Sequence, residues 1–165
     1  LSRHYQTGEQ ITDELLDKMQ KAKNYAAARF RMRQLSFGLM DFDLHLNYDP
    51  ETDGDVSKYS RGFAQQFAAT TLPEEFSQIT AFHHLFADAE SGYACGYYSY
   101  QWAEVLDADA FSRFKKEGIF SRPVGMEFRE KILAKGDSED PAKIYRDFMG
   151  RDLDPDAVLK RDGLL

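Results

Sequence analysis

The chain has 165 residues, enough for one domain with a real core, and a formal net charge of −7 at pH 7. That balance argues against nucleic acid as a partner, because phosphate binding needs clustered Lys and Arg and here the basic residues are scattered. No stretch approaches the roughly 18 apolar residues of a membrane span, so no membrane partner is expected, and the single cysteine, Cys95, excludes an internal disulfide and fits a reducing, cytoplasmic compartment.

The chain opens at Leu1 without an initiator methionine or a signal segment, as a processed chain or a piece of something longer would. Residues 1–11 read as irregular. Thr12 then caps a helix to about Lys23, with Asp13 and Glu14 in its first turn and Leu15, Leu16 and Met19 on its apolar face. Asn24 caps a longer helix. Ala28, Met32, Leu35, Leu39, Phe42 and Leu46 form its single-face stripe, and Asp49-Pro50 closes it. The arginines at 29, 31 and 33 are expected to spread over a solvated face. Asp55 caps a third helix carrying Tyr59, Phe63 and Phe67.

A helical turn around Phe76–Phe86 and a loop at Ala87–Gly92 follow. From about Gly96 a helix carries Tyr98, Trp102, Val105 and Leu106, and it ends before Gly118. Val124, Phe128 and Ile132 make the next apolar face. Asp140-Pro141 and Asp154-Pro155 each pair a cap with a proline at the first helical position, and Gly150 and Gly163 close those two helices. The pattern predicts an all-α single domain of about seven helices over residues 1–165, without internal repeats.

Few motifs in the chain carry chemistry. A helical zinc site would show His-Glu-x-x-His, but the histidines are His4, His45, His83 and His84 and none precedes Glu. Adjacent His83 and His84 diverge on a helix, so no metal ligand is assigned. Asp41-x-Asp43-x-His45 falls within the long helical stripe and reads as a solvated face. Asp49-x-Glu51-x-Asp53-Gly54 opens like a calcium loop but places Ser60 where a bidentate acid is needed, so it reads as a turn.

The most informative run is Gly92-Tyr93-Ala94-Cys95-Gly96-Tyr97-Tyr98-Ser99-Tyr100-Gln101-Trp102. In an arbitrary chain such a run is more often an aromatic core helix than a site. Yet tyrosine hydroxyls are neutral donors at pH 7, and Tyr93, Tyr97 and Tyr100 can converge whether the run is helical or begins as a loop. Tyr98 and Trp102 are assigned to packing and Cys95 to a packed thiol.

These residues resemble the C-terminal portion of the thimet oligopeptidase family of zinc metallopeptidases, in particular its oligopeptidase A and peptidyl-dipeptidase branch. The resemblance starts at His4-Tyr5-Gln6-Thr7-Gly8-Glu9 and continues through Arg33-Gln34-Leu35-Ser36-Phe37-Gly38-Leu39. It is strongest over Gly92–Tyr100, then runs through Trp102-Ala103-Glu104-Val105-Leu106 and Gly136-Asp137-Ser138-Glu139-Asp140-Pro141 to Gly163-Leu164. It implies the C-terminal helical part of a larger zincin-type enzyme that hydrolyses short peptides. The zinc motif then lies upstream, zinc is needed by the whole enzyme, and this chain is inert alone. The upstream remainder of the polypeptide becomes a partner.

The resemblance also implies that Tyr93 and Tyr100 are catalytic donors to the substrate carbonyl and the tetrahedral oxyanion. His84, Gly92 and Tyr97 fall on the substrate-binding side. The family's loop is usually shorter than Ala87–Ser91 makes it here, which adds Asp88 and Glu90 as a bias against acidic peptides. A second reading from the residues is a free-standing helical module whose aromatic groove binds a peptide or a partner helix.

Overall fold

A computed structural model describes residues 2–87 and 93–165. Local capping chemistry starts three of its helices where the side chains predict, whereas Asp154-Pro155 precedes a helix that begins only at Ala157. Thr12 Oγ1 accepts the Leu15 N–H at 3.3 Å and opens α1 (Asp13–Lys23). Asp55 Oδ1 accepts the Lys58 N–H at 2.8 Å at the head of α3 (Val56–Gln65). Asp140 Oδ1 accepts the Lys143 N–H at 2.9 Å to begin α7 (Pro141–Met149), which Gly150 closes in the left-handed region.

Between these lie α2 (Ala27–Leu46), a 3-10 turn (Ile79–Ala81), the single-turn α4 (His83–Phe86) and α5 (Ser99–Glu117). α6 (Arg122–Phe128) runs straight into a π turn (Arg129–Leu133), and α8 (Ala157–Arg161) follows α7. Among the described residues the one extended pairing is an isolated bridge between Arg3 and Gln10, so the all-α expectation holds. Asn24 closes α1 rather than capping α2, which starts after a left-handed Ala26. α5 starts at Ser99, not near Gly96.

The expected stripe of α2 is not its buried face. Met32, Leu35, Leu39 and Leu46 are exposed, and the side turned inward is Phe37, Met40, Asp41 and Leu44. Hydropathy periodicity ranked the stripe higher because the inward face carries charges, and charges count against burial in such a pattern. Arg31 is the second case. It does not lie on a solvated face but is buried, donating from Nη2 to Glu104 at 2.6 Å, from Nε to Asp162 at 2.6 Å and from Nη1 to Gln101 at 3.3 Å. One guanidinium thereby joins α2 to α5 and to the end of α8, with its charge compensated as burial demands.

Two main clusters fill the interior. Phe37, Met40 and Leu44 of α2 pack with Ile79, Phe82, Leu85 and Tyr97. Ala110, Val124, Tyr145 and Phe148 form the second, beside a buried carboxylate on α5. That carboxylate, Asp109, accepts from the Tyr145 hydroxyl at 2.7 Å, from Arg151 Nη1 at 2.8 Å and from the Asp154 N–H at 3.0 Å. Burial alone would raise its pKa. The Arg151, Asp154 and Tyr145 bonds outweigh burial and hold it at about 2.

A depressed carboxylate stabilises the fold above its unfolded pKa and loses that contribution as pH falls through its folded value. Asp109 is therefore expected to contribute about 2 kcal/mol at neutral pH that disappears between about pH 4 and pH 2. Denaturant unfolding across that range should show the loss, and Asp109→Asn should make the pH dependence shallower; an unchanged slope would contradict the assignment.

Candidate functional site

The tyrosine run is a turn leading into a helix, and backbone chemistry explains the division. The Gly96 N–H closes on the Tyr93 carbonyl at 2.9 Å. A side chain at Gly96 would put its Cβ 2.8 Å from that same oxygen, so only glycine fits. Cys95 sits at φ 58°, in the left-handed region that a non-glycine residue seldom occupies. The Ser99 N–H and hydroxyl then both bond the Gly96 carbonyl, at 3.1 and 2.8 Å, and α5 begins.

This turn is fastened to α2. Asp41 is 1% exposed, and its carboxylate accepts the Tyr97 N–H at 2.9 Å through Oδ2 and the Cys95 N–H at 3.2 Å through Oδ1. Charge-assisted bonds of this kind are each worth roughly 1.5–3 kcal/mol. The Cα of Tyr98 would lie 3.6 Å from a Cβ on Gly38, so the small residue in α2 keeps the two backbones close. Asp41 was expected on a solvated face; instead it points into the protein. Its spacing to Phe37 and Leu44, and an i, i+4 partner in His45, were the signals for this.

The structure brings His84, Tyr93, Tyr97 and Tyr100 into one aromatic group. Ring centroids lie 5.2 Å apart for His84 and Tyr93, 5.1 Å for Tyr97 and Tyr100, 6.3 Å for Tyr93 and Tyr100, and 6.4 Å for His84 and Tyr100. The four residues differ in access. Tyr97 is buried and forms the floor, with edge contacts to Phe37 and its hydroxyl donated to Gln34 Oε1 at 3.0 Å. Tyr100 is 43% exposed, in the first turn of α5, and His84 is exposed on α4. Gly92, Asp88 and Glu90 lie outside the described residues.

The electrostatics favour the neutral phenol at Tyr93 and Tyr97. A hydrogen bond to the Tyr100 hydroxyl, partial burial and the Tyr100 charge together push the Tyr93 phenol above its ordinary value. Burial pushes Tyr97 up as well, against the nearby Arg33 charge. The Cys95 thiol is raised by burial and by the Asp41 charge, which suits a packed thiol and not a nucleophile. The accessible rim thus offers two neutral phenolic donors beside an imidazole, a set able to bind a carbonyl oxygen as its charge grows. Among the described residues no group of three or more His, Cys, Asp or Glu is arranged to hold a metal.

Tyr98 and Trp102 do less packing than expected. Tyr98 stacks on Phe42 with centroids 5.6 Å apart yet remains exposed, and Trp102 is 53% exposed. Through Phe42, Tyr98 extends the outward apolar residues of α2 onto the start of α5 as a strip.

The model for peptidase family M3 matches residues 1–164. Oligopeptidase A of Salmonella typhimurium is 46% identical over 164 residues, which is 99% of this chain and 24% of that protein. Oligopeptidase A of Escherichia coli is likewise 46% identical over 164 residues, with the same coverage. Dipeptidyl carboxypeptidase of Escherichia coli is 33% identical over 152 residues, 91% of this chain and 22% of that protein. The chain therefore spans about 24% of the length of the oligopeptidase A relatives it matches.

The Gly96 geometry gives a paired test. Gly96→Ala should destabilise the chain by about 1–3 kcal/mol in urea unfolding, the range for enforced backbone strain. Gly62→Ala, in open space within α3, should instead stabilise it by roughly 0.5–1 kcal/mol. Equal effects at the two positions would refute the close approach at Tyr93.

Proposed function

The chain belongs to peptidase family M3, and from that we propose that residues 1–165 are the C-terminal helical domain of a zinc metallo-oligopeptidase acting on short peptides in the cytoplasm. Tyr93 and Tyr100 are the donors to the substrate carbonyl, and His84, Gly92 and Tyr97 belong to the substrate side. The observation that carries this reading is the convergence of Tyr93, Tyr100 and His84 on one accessible rim, backed by the buried Tyr97.

Among the described residues no group of His, Cys, Asp or Glu fits zinc, and in this reading the metal is held by the rest of the polypeptide. There it would supply the Lewis acid and the activated water. The residues of this chain have a separate task. A peptide carbonyl gains negative charge on oxygen as its carbon becomes tetrahedral. A neutral phenol aimed at that oxygen stabilises the charge more than it stabilises the starting amide, by roughly 3–4 kcal/mol per donor. Tyr100 is held by helix backbone and Tyr93 by the turn, so little reorganisation is needed when the charge develops.

The upstream remainder of the polypeptide is the partner for the apolar strip on α2 and α5. The length relation supports this, since relatives 46% identical to this chain are about four times as long. The same strip would also suit a free-standing module that binds a partner helix. The coding sequence ahead of Leu1 separates the two readings: a His-Glu-x-x-His motif there is expected from the first, and a start close to Leu1 from the second.

In the whole enzyme, Tyr100→Phe is expected to lower kcat by about 10²–10³ with little change in KM, because the lost bond forms mainly in the transition state. Tyr93→Phe should act in the same direction. Unimpaired kcat in both variants would remove the oxyanion role. The 165 residues alone should be inactive, and chelator-sensitive peptide hydrolysis by them would overturn the division of labour.

A further inference from the structure

Asp41 is linked to both chain segments that carry the site, to one directly and to the other through His45. Through Oδ1 and Oδ2 it holds the Cys95 and Tyr97 N–H groups, and so the turn between Tyr93 and Tyr100. On its other side His45 Nδ1 lies 3.1 Å from Asp41 Oδ1 and 2.8 Å from the Asp41 carbonyl oxygen. Both neighbours are acceptors, so Nδ1 carries the proton. The His45 ring stacks flat on Phe86, with centroids 5.0 Å apart and planes 2° from parallel. Phe86 is the last residue of α4, the turn that carries His84.

We infer that Asp41 is a positioning residue for this site, fixing Tyr93 and Tyr100 against His84 from beneath without touching the substrate. The inference rests on the proposed role of the two tyrosines and adds the device that sets their geometry. Tyr93 and Tyr100 come from different kinds of structure, a turn and a helix. Nothing in α5 alone dictates where Tyr93 sits. The Asp41 carboxylate does, because it binds two N–H groups on either side of Gly96 and leaves the turn one register on α2. A bond to the backbone also takes up neither phenol hydroxyl. Ring contacts with His84 and Tyr97 add to this constraint but lack the direction of a hydrogen bond.

The test uses the whole enzyme with a short internally quenched fluorogenic peptide. Asp41→Asn keeps the size of the side chain but presents an amide N–H where one of the two acceptors stood. Its kcat should fall roughly ten-fold or more with KM changed by less than about two-fold. In a Tyr93→Phe background the same substitution should cost much less, because its effect runs through Tyr93. A normal kcat for Asp41→Asn, or an equal loss in both backgrounds, overturns the inference.

Hydrogen exchange gives an independent reading in the unsubstituted enzyme: the Cys95 and Tyr97 amides should exchange as slowly as those in the core of α2. Exchange at free-peptide rates would overturn the anchoring whether or not the Asp41 variant folds. Normal kcat for both Tyr93→Phe and Tyr100→Phe, or absence of peptidase activity from the unsubstituted enzyme, would refute the proposed function instead. In that case slow amides at 95 and 97 would still establish the anchor.

Discussion

A carboxylate that is 1% exposed must have its charge satisfied, and the way Asp41 achieves this organises one half of the molecule. Its oxygens have two backbone N–H groups and an imidazole within reach, from the turn at 93–97 and from its own helix. α2 must then present this face to the turn, which places Phe37, Met40 and Leu44 in the core. The Phe37 ring meets Phe82 and Tyr97 edge-on, and the aromatic floor of the site follows. At its other end α2 is fixed in the same manner by Arg31, between Glu104 and Asp162. The helix is located by its two buried charges, and the apolar contacts fill in between them.

That arrangement explains what could and could not be read from sequence. Caps are local, so Thr12, Asp55 and Asp140 announce their helices directly. The tyrosine run was legible as a place of convergence, because Tyr93, Tyr97 and Tyr100 can meet in either of the conformations open to the run. The facing of α2 was not legible. Its outward side has the cleaner apolar rhythm, and its inward side mixes Phe37, Met40 and Leu44 with Arg31 and Asp41. Periodicity measures apolar content and has no means of crediting a charge whose partner lies far along the chain. Arg31 meets Asp162 across nearly the whole sequence, and Asp41 meets Tyr97 across a third of it.

Two apolar faces on one helix also account for the poor packing of Tyr98 and Trp102. Tyr98 extends the outward strip of α2 onto α5, and neither residue belongs to the interior described by Phe37 or Val124. The site lies beside this strip, near the junction of α2, α4 and α5. Its phenols therefore sit next to an exposed apolar surface.

Cys95 gives the turn a mechanical character. A left-handed backbone at a residue with a side chain costs on the order of 1–2 kcal/mol, and the neighbouring bonds to Asp41 more than offset that cost. The turn is thus a loaded spring with its catch engaged. Without those bonds the cost at Cys95 would stand uncompensated midway between the tyrosines, so one carboxylate both sets the pair and holds the strain beneath it.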